Sequence, residues 1–165
     1  MLAWHRDAYY EALNSLKYWV DKFNAATGIN LKLETEEPFV FFNKSRLGGY
    51  VWPHKYNNRV FLNGPLFLAN KEKYHNETIP HEVAHLFQNV LYPKDSTHGI
   101  GWQKLMRLVG LSPKRCHNYD ITVAVVTFKY ICACRKHEVS KVIHNKMVRG
   151  QRRICCKCRS TLVKL

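Results

Sequence analysis

The sequence lacks any long apolar run. No stretch of its 165 residues approaches the ~20 consecutive apolar residues that a membrane-spanning helix requires. The first residues, Met1 to Asp7, also lack the basic-then-apolar order of a secretory signal. We therefore expect a cytoplasmic protein, with the nucleoid as a further location, and no membrane partner.

Acidic residues are scarce. The chain has 12 Asp or Glu against 26 Lys or Arg, a formal net charge of +14. Lys129 to Leu165 holds eleven basic residues and a single acid, Glu138, and so carries +10 of that charge. This distribution predicts a polyanionic partner, DNA first, although a solvated basic face is the alternative. The expected nucleic-acid contacts are Lys141, Lys146, Arg149, Arg152 and Arg153.

Internal repeats and low-complexity tracts are absent as well. The length suits one domain with a small appendage, and 46% apolar residues suit a packed core. Six cysteines in a cytoplasmic chain point to metal binding rather than to disulfides.

The stretch around which the chain is organised is His81-Glu82-x-x-His85. Residues four apart on a helix share one face, so both imidazoles can bind one metal ion, and Glu82 can reach a metal-bound water without being a ligand. A catalytic zinc needs a third protein ligand and an open position. His98, thirteen residues later, is the candidate. The pattern predicts a zinc protease site; the alternative is that these are ordinary histidines on a helix face, bonded to the backbone or to water.

A second cluster lies near the C-terminus. Two short groups of cysteines about twenty residues apart are typical of a zinc ribbon, a structural site. Because Cys134-x-x-His137 is as sound a pair as Cys132-x-Cys134, His137 is a rival to one of the first two ligands. Cys116 and Cys156 are left over as inert thiols. The expected ligands of this second zinc are Cys132, Cys134, Cys155 and Cys158.

Hydrophobic periodicity predicts an α+β fold. A helical stripe from Tyr9 to Phe23 ends at Thr27-Gly28. Four apolar segments then predict a small, mostly antiparallel sheet of three or four strands. One of them, Tyr50–Trp52, is a candidate edge strand that could bind an extended peptide. These segments are Ile29–Leu33, Phe39–Phe42, Tyr50–Trp52 and Arg59–Leu62.

Further elements follow along the chain. Helices are expected from Leu66, around His81, and over Trp102 to Val109, where Gly110 ends the last one. Pro80 either begins a helix or kinks a longer one. We expect a linker strand over 121–128 and two strands between Glu138 and Arg153. His117 and Tyr119 are candidates for lining the cleft and stabilising an oxyanion.

With both clusters in view, the chain resembles the SprT family over most of its length. The resemblance rests on Pro80-His-Glu-Val-Ala-His85, His98-Gly-x-x-Trp102 with Met106, Arg115-x-His117, Tyr130-x-Cys-x-Cys-x-x-His137, His144-Asn145, Val148-Arg-Gly150 and Cys155-x-x-Cys158-x-x-x-Leu162. One departure is the Cys155-Cys156 pair, where the family pattern has a single cysteine.

The resemblance implies a minimal zincin-like metalloprotease domain over 1–125, with a small antiparallel sheet and helices, and a β zinc ribbon over 126–165. It implies that His81, His85 and His98 hold the catalytic zinc and that Glu82 is the base. Spartan, a relative, is a DNA-dependent protease that degrades proteins crosslinked to DNA. We therefore expect a zinc metalloendopeptidase acting on DNA-associated or DNA-crosslinked proteins. The alternatives are a non-catalytic zinc-containing nucleic-acid-binding protein, or a metalloenzyme for another amide bond.

Overall fold

The computed structural model describes residues 3–34, 36–42, 47–54, 57–124 and 126–165. The chain forms two compact units, Met1–Asp120 and Ile121–Leu165, called here the N-terminal and C-terminal units. The domain boundary expected between residues 125 and 126 stays a prediction. None of the helices in these ranges has the length and apolar character needed to cross a bilayer.

The N-terminal unit begins with a long helix, α1 (Ala3–Thr27). Its predicted apolar stripe is confirmed: Leu16, Val20 and Phe23 are buried. The helix ends where expected, because Gly28 adopts φ +73°, a left-handed conformation that glycine takes without steric cost.

The predicted strand at Ile29–Leu33 is wrong. This segment has no regular secondary structure and joins no sheet. The reason lies in Asn24 on α1, whose amide donates to the Leu31 carbonyl at 3.0 Å and accepts from the Leu31 N–H at 2.8 Å. Both backbone groups of Leu31 are therefore engaged by a side chain and are not available for a β-ladder.

The sheet of the N-terminal unit has three strands among the described residues, β1 (Phe39–Phe42), β2 (Gly49–His54) and β3 (Asn57–Asn63). Their order is β1-β3-β2. β2 pairs with β3 antiparallel, but β1 pairs with β3 parallel, so the mostly antiparallel prediction is wrong for that ladder. The central position suits β3, because Val60 and Leu62 are fully buried. β2 is an edge strand within this part of the chain, as predicted.

Helical backbone then runs almost continuously. α2 spans Gly64–Ala69 and α3 spans Lys71–Lys73; a π-helical turn, Tyr74–Thr78, leads into α4 (Ile79–Leu91). Pro80 lies in the first turn of α4, directly after the π-helical turn, and not in the interior of the α-helical segment. α4 packs against α1 through the stacked rings of Phe23 and Phe87, 5.2 Å apart, and it also packs against β2.

The last helix of this unit is α5 (Ile100–Leu108). It corresponds to the predicted helix, with Trp102, Leu105 and Met106 buried. Gly110, at φ +81°, follows it. The helices and the sheet thus place His81 and His85 on one element and His98 on the loop before another.

The C-terminal unit differs from the predicted all-β ribbon. A 3₁₀ turn (Ile121–Val123) precedes β4 (Thr127–Ile131), so the linker strand predicted over 121–128 is mostly wrong. β4 pairs with β5 (Lys136–Ser140) and with β6 (Val163–Lys164), both antiparallel.

The two strands predicted between Glu138 and Arg153 are also wrong beyond β5. Residues Lys141–Val148 form a helix, α6, whose N-cap is Ser140. The Ser140 hydroxyl accepts from the Ile143 N–H, the arrangement expected of an N-cap. Ile143 and Met147, one turn apart, pack on the buried core of the unit, so tertiary packing favours a helix over the β-branched local sequence.

Candidate metal centres

Three histidines converge in the N-terminal unit. Nε2 of His98 lies 2.8 Å from Nε2 of His81 and 3.0 Å from Nε2 of His85. Nitrogens that share a tetrahedral zinc are about 3.3 Å apart, since each Zn–N bond is about 2.0–2.1 Å. The three imidazoles therefore form a group that can hold a metal ion.

The outer nitrogen of His85 supports the same interpretation. Nδ1 of His85 is 3.0 Å from Oε1 of Gln88, an acceptor, so this nitrogen carries the proton. With its proton on the outside, His85 directs its Nε2 lone pair at Nε2 of His98, 3.0 Å away. Facing lone pairs repel unless a cation or a proton lies between them, so the donor set fits a metal.

Electrostatics keep these imidazoles neutral. Burial, with His85 and His98 adding to it, lowers the pKa of His81 to about 3. Burial lowers the pKa of His85 to about 4 and also lowers that of His98, with a contribution from Arg115. Neutral imidazole is the form that binds metal, so all three are available as ligands at neutral pH.

The indole ring of Trp102 contacts all three imidazole rings. It is fully buried, and its ring centroid is 4.7 Å from His81, 5.6 Å from His85 and 4.7 Å from His98. Its indole N–H donates to the His81 carbonyl at 3.3 Å. A large rigid side chain in contact with every imidazole limits the orientations that each can adopt.

The loop before α5 presents His98 in an unusual conformation. His98 has φ +60°, which non-glycine residues seldom adopt. Asp95 holds this loop to the helix: its carboxylate accepts from the Ser96 N–H at 3.0 Å and the Gly101 N–H at 2.6 Å. A Cβ at Gly99 would overlap the Asp95 carboxylate. The short sequence Asp95–Gly101 thus both caps α5 and places His98.

Glu82 lies beside the histidines on α4 and is buried. Its side chain packs against Gly49 of β2, where an added Cβ would lie 2.8 Å from Cγ and 3.0 Å from Oε1 of Glu82. Burial raises the pKa of Glu82 to about 8. A carboxyl group whose pKa is near neutrality is suited to accepting and returning a proton.

His117 and Tyr119 lie in the same unit but are engaged with one another. Their rings stack 4.3 Å apart, and the Tyr119 hydroxyl shares a 2.6 Å hydrogen bond with Thr78. Tyr119 is buried and also stacks on Tyr74. Its hydroxyl is therefore occupied by the hydrogen bond to Thr78, the residue before α4. The oxyanion role considered for the pair stays a prediction.

In the C-terminal unit, the four expected cysteines come together. The sulfurs of Cys132, Cys134, Cys155 and Cys158 all lie within 4.8 Å of one another. Cys132 and Cys134 are 3.5 Å apart, and Cys134 and Cys155 are 3.8 Å apart. Sulfurs on one tetrahedral zinc are about 3.8 Å apart, given Zn–S bonds of about 2.3 Å, whereas a disulfide would need about 2.05 Å. The cluster can hold a metal ion.

The thiols of the cluster differ in acidity, and hydrogen bonds with Cys132 and Cys158 raise the pKa of Cys134 to about 12. Hydrogen bonds from Ser160 lower the pKa of Cys158 to about 5, the Oγ to Sγ distance being 3.1 Å. Nε2 of His137, the rival ligand, lies 3.1 Å from Sγ of Cys132. It is thus in hydrogen-bonding reach of one sulfur, outside the four-sulfur group. Cys116 and Cys156 are exposed.

The basic residues expected to contact nucleic acid are spread over α6 and the segment after it, and all five are exposed. Two of them, Arg152 and Arg153, line a cavity of about 360 Å³ together with Lys164. Its apolar lining comes partly from Met147 and Leu162. The C-terminal unit therefore presents cations beside an apolar surface.

The fold and the histidine group together define an α+β protein with a candidate metal centre. Comparison of sequences identifies its relatives. The model of the SprT-like family matches residues 17–124, and the chain belongs to this family.

A protein named Protein SprT from Klebsiella pneumoniae is 33% identical over 140 residues, 81% of this chain and 83% of the relative. Protein SprT from Pseudomonas paraeruginosa is 37% identical over 116 residues, 67% of this chain and 70% of the relative. Protein SprT from Cronobacter sakazakii is 32% identical over 146 residues, 85% of this chain and 87% of the relative. No solved structure matches the chain.

Sequence reasoning missed the residues that support the candidate ligands and Glu82. Gly49 is one of them, because its lack of a side chain lets β2 approach the Glu82 carboxyl group. Three others, Gln88, Asp95 and Ser160, belong to none of the sequence motifs. A usable signal existed for Gln88, since an amide three residues after a ligand on one helix lies on the same face.

Proposed function

We propose that this chain is a zinc-dependent metalloendopeptidase with a zincin-like core. The observation that carries the proposal is the convergence of three imidazole nitrogens next to the buried carboxyl group of Glu82. A structural metal site has no use for a buried carboxyl group that is not a ligand, so this pairing favours catalysis over a structural role.

The chemistry follows from the side chains. His81, His85 and His98 would hold the zinc, which, when bound, acidifies water and polarises a peptide carbonyl. Glu82 accepts a proton at its carboxylate and returns it to the leaving amine.

The edge strand β2 suits an extended substrate. It pairs with β3 on one side, and at Gly49 its backbone lies against Glu82. A peptide added to this edge by main-chain hydrogen bonds would run past the carboxylate. Backbone recognition of this kind is independent of side chains, which favours a broad protein substrate over one small amide.

Replacing the carboxylate tests the peptidase proposal. Glu82→Gln should keep zinc bound and lose cleavage of an unfolded protein such as casein, because an amide cannot accept the proton. The matched control is Glu72→Gln, an exposed position on α3, which should retain activity. If Glu82→Gln cleaves as fast as the parent chain, the proposal is wrong.

We further propose a structural zinc at the four cysteines and DNA as the partner of the C-terminal unit. Lys141, Lys146 and Arg149 on and after α6 are exposed, and Arg152 and Arg153 line the cavity with Lys164. Phosphate neutralisation would hold DNA-associated or DNA-crosslinked proteins near the active site, within the cytoplasm and nucleoid, and so raise their local concentration.

Salt dependence tests the DNA proposal. The slope of log affinity against log salt is negative, and each lost phosphate contact reduces its magnitude by about 0.9 for duplex DNA or about 0.7 for a single strand. The double variant Arg152→Gln, Arg153→Gln should therefore lose about two contacts, while Lys17→Gln, Lys73→Gln in the N-terminal unit should lose none. Cleavage of one protein substrate at equal rates in the presence and in the absence of DNA would contradict the proposal.

The second candidate is a non-catalytic, zinc-containing nucleic-acid-binding protein, favoured by the cysteine cluster beside the basic residues. Casein, a DNA-bound protein and a small amide, compared side by side, separate the candidates. Cleavage of none of them by the zinc-loaded chain would favour the binding protein, and cleavage of the small amide alone would favour a different hydrolase.

A further inference from the structure

Gln88 on α4 is a buried polar residue with both ends of its amide in use. It is 4% exposed. Its Oε1 lies 3.0 Å from Nδ1 of His85, and its Nε2 donates to the carbonyl of Ser96 at 2.9 Å. A buried amide costs free energy unless its groups are paired. Here the pairing joins a ligand on the helix to the backbone of the loop before α5.

The first contact determines the tautomer of His85. Because Oε1 can only accept, Nδ1 of His85 must carry the proton. Nε2 then carries a lone pair, and it faces Nε2 of His98 at 3.0 Å. In water a neutral histidine prefers the opposite tautomer, so Gln88 selects the form that can bind metal through Nε2.

The second contact anchors the turn that presents His98. The Ser96 carbonyl accepts from Gln88 and also from the Gly99 N–H at 2.7 Å. His98 lies between those two residues with φ +60°, a conformation that persists only where its surroundings hold it. Gln88 therefore supports the loop from the helix side.

We propose that Gln88 is a positioning residue that links two metal ligands: it orients the imidazole of His85 and anchors the loop that carries His98, so that both reach one metal ion. This inference rests on the histidine metal site of the proposed function. Supporting partners of this kind typically change metal affinity by about 10- to 100-fold.

A variant with an internal reference tests the proposal. Gln88→Met keeps the length and volume of the side chain but neither accepts from His85 nor donates to Ser96. Cobalt(II) titration of the full chain reports both sites, because sulfur-to-cobalt charge transfer marks the cysteine cluster. We expect Gln88→Met to weaken the histidine site by about 10- to 100-fold and to leave the cysteine site unchanged.

The matched control is Asn24→Leu. The Asn24 amide also bridges a helix and a loop, donating to and accepting from Leu31, but in a segment that carries no ligand. This variant should be less stable than the parent chain and bind cobalt at the histidine site with parental affinity. Equal loss of affinity in both variants would show that Gln88 acts only through stability, which would overturn the proposal.

Proton-detected nitrogen NMR of the metal-free parent chain provides a test that needs no variant. The ring nitrogens of His85 should show a proton on Nδ1. A proton on Nε2 would overturn the proposal, even if Gln88→Met failed to fold. If the parent chain bound no metal at the histidines, the proposed function would fall together with the inference. If it bound metal and Gln88→Met bound it equally well, only the inference would fall.

Discussion

Gly49 and Glu82 are in direct contact, β2 against α4: a Cβ at position 49 would lie 2.8 Å from Cγ of Glu82, 3.0 Å from its Oε1 and 3.0 Å from the Phe61 carbonyl. Real Cβ contacts are not this short, so any larger residue must displace either the carboxyl group or the strand. The glycine thus allows the proposed base and the proposed peptide-binding edge to meet.

Substitution of this glycine should therefore affect activity before it affects metal binding. We expect Gly49→Ala to lower kcat/KM for a peptide by about 10²-fold, the effect of misplacing a catalytic group by about 1 Å, with zinc content unchanged. The control is Gly64→Ala, where the new Cβ would lie an ordinary 3.6 Å from Phe41. Parental kcat/KM in Gly49→Ala would contradict this role.

The number of metal ions per chain tests the two centres separately. The histidine and cysteine groups lie in different compact units, so removing a ligand from one should leave the other intact. Elemental analysis should give two zinc ions for the parent chain, one for His85→Ala and one for Cys155→Ser. One zinc ion in the parent chain would show that one of the two centres binds no zinc. The variant that still held this ion would be the one substituted in the empty centre.

Asp95 connects helix capping with ligand placement. Its carboxylate accepts from the Ser96 and Gly101 N–H groups, so Asp95→Ala should lower the free energy of unfolding by about 1 kcal/mol, as loss of a helix cap does. Because His98 lies inside the same loop, metal affinity at the histidines should fall as well.

Chemical denaturation and cobalt titration of Asp95→Ala measure the two effects. Asp21→Ala, an exposed position on α1, should change neither. A loss of stability with unchanged metal affinity would show that the cap and the ligand are independent.

Alkaline pH should destabilise the N-terminal unit through Tyr119. Burial raises the pKa of Tyr119 to about 12, from an ordinary value of 10. Between these values the unfolded chain has released the phenolic proton while the folded chain keeps it. Stability therefore falls as pH rises through this window, by up to about 1.4 kcal/mol per pH unit for one proton.

The comparison is with Tyr119→Phe, which has no proton to release. It should lose the hydrogen bond to Thr78 and be less stable at pH 8. Its free energy of unfolding, from urea titrations at pH 8 to 12, should then decline less steeply than that of the parent chain. Parallel pH profiles would contradict the assignment.

Local sequence signals explain the elements that were predicted correctly. The stripe through Leu16, Val20 and Phe23, followed by Gly28, has the helical period and a suitable end, and α1 adopts it. The spacing of His81, Glu82 and His85 placed two imidazoles on one face of α4. Grouping of His98 with them, and of the four cysteines, matched the motifs.

Where sequence reasoning failed, a distant contact had overridden the local preference. Ile29–Leu33 alternates like a strand, but the Asn24 side chain occupies the backbone groups of Leu31. Residues 141–148 contain β-branched side chains, but the Ser140 cap and the burial of Ile143 and Met147 favour a helix. The parallel pairing of β1 with β3 depends on a path through β2 that no local pattern encodes.

The amino-acid order by itself therefore determined the kinds of candidate ligand and their spacing, because side chains one helical turn apart, or two residues apart in a knuckle, are brought together by backbone geometry alone. Only the tertiary structure decided how those candidate ligands are held. Three contacts depend on how helix, strand and loop pack: the hydrogen bond of Gln88 with His85, the close approach of Gly49 to Glu82, and the hydrogen bond of Asp95 with Gly101 that closes the loop of His98. Packing joins residues according to shape and hydrogen-bonding need, and neither quantity is visible in a linear pattern.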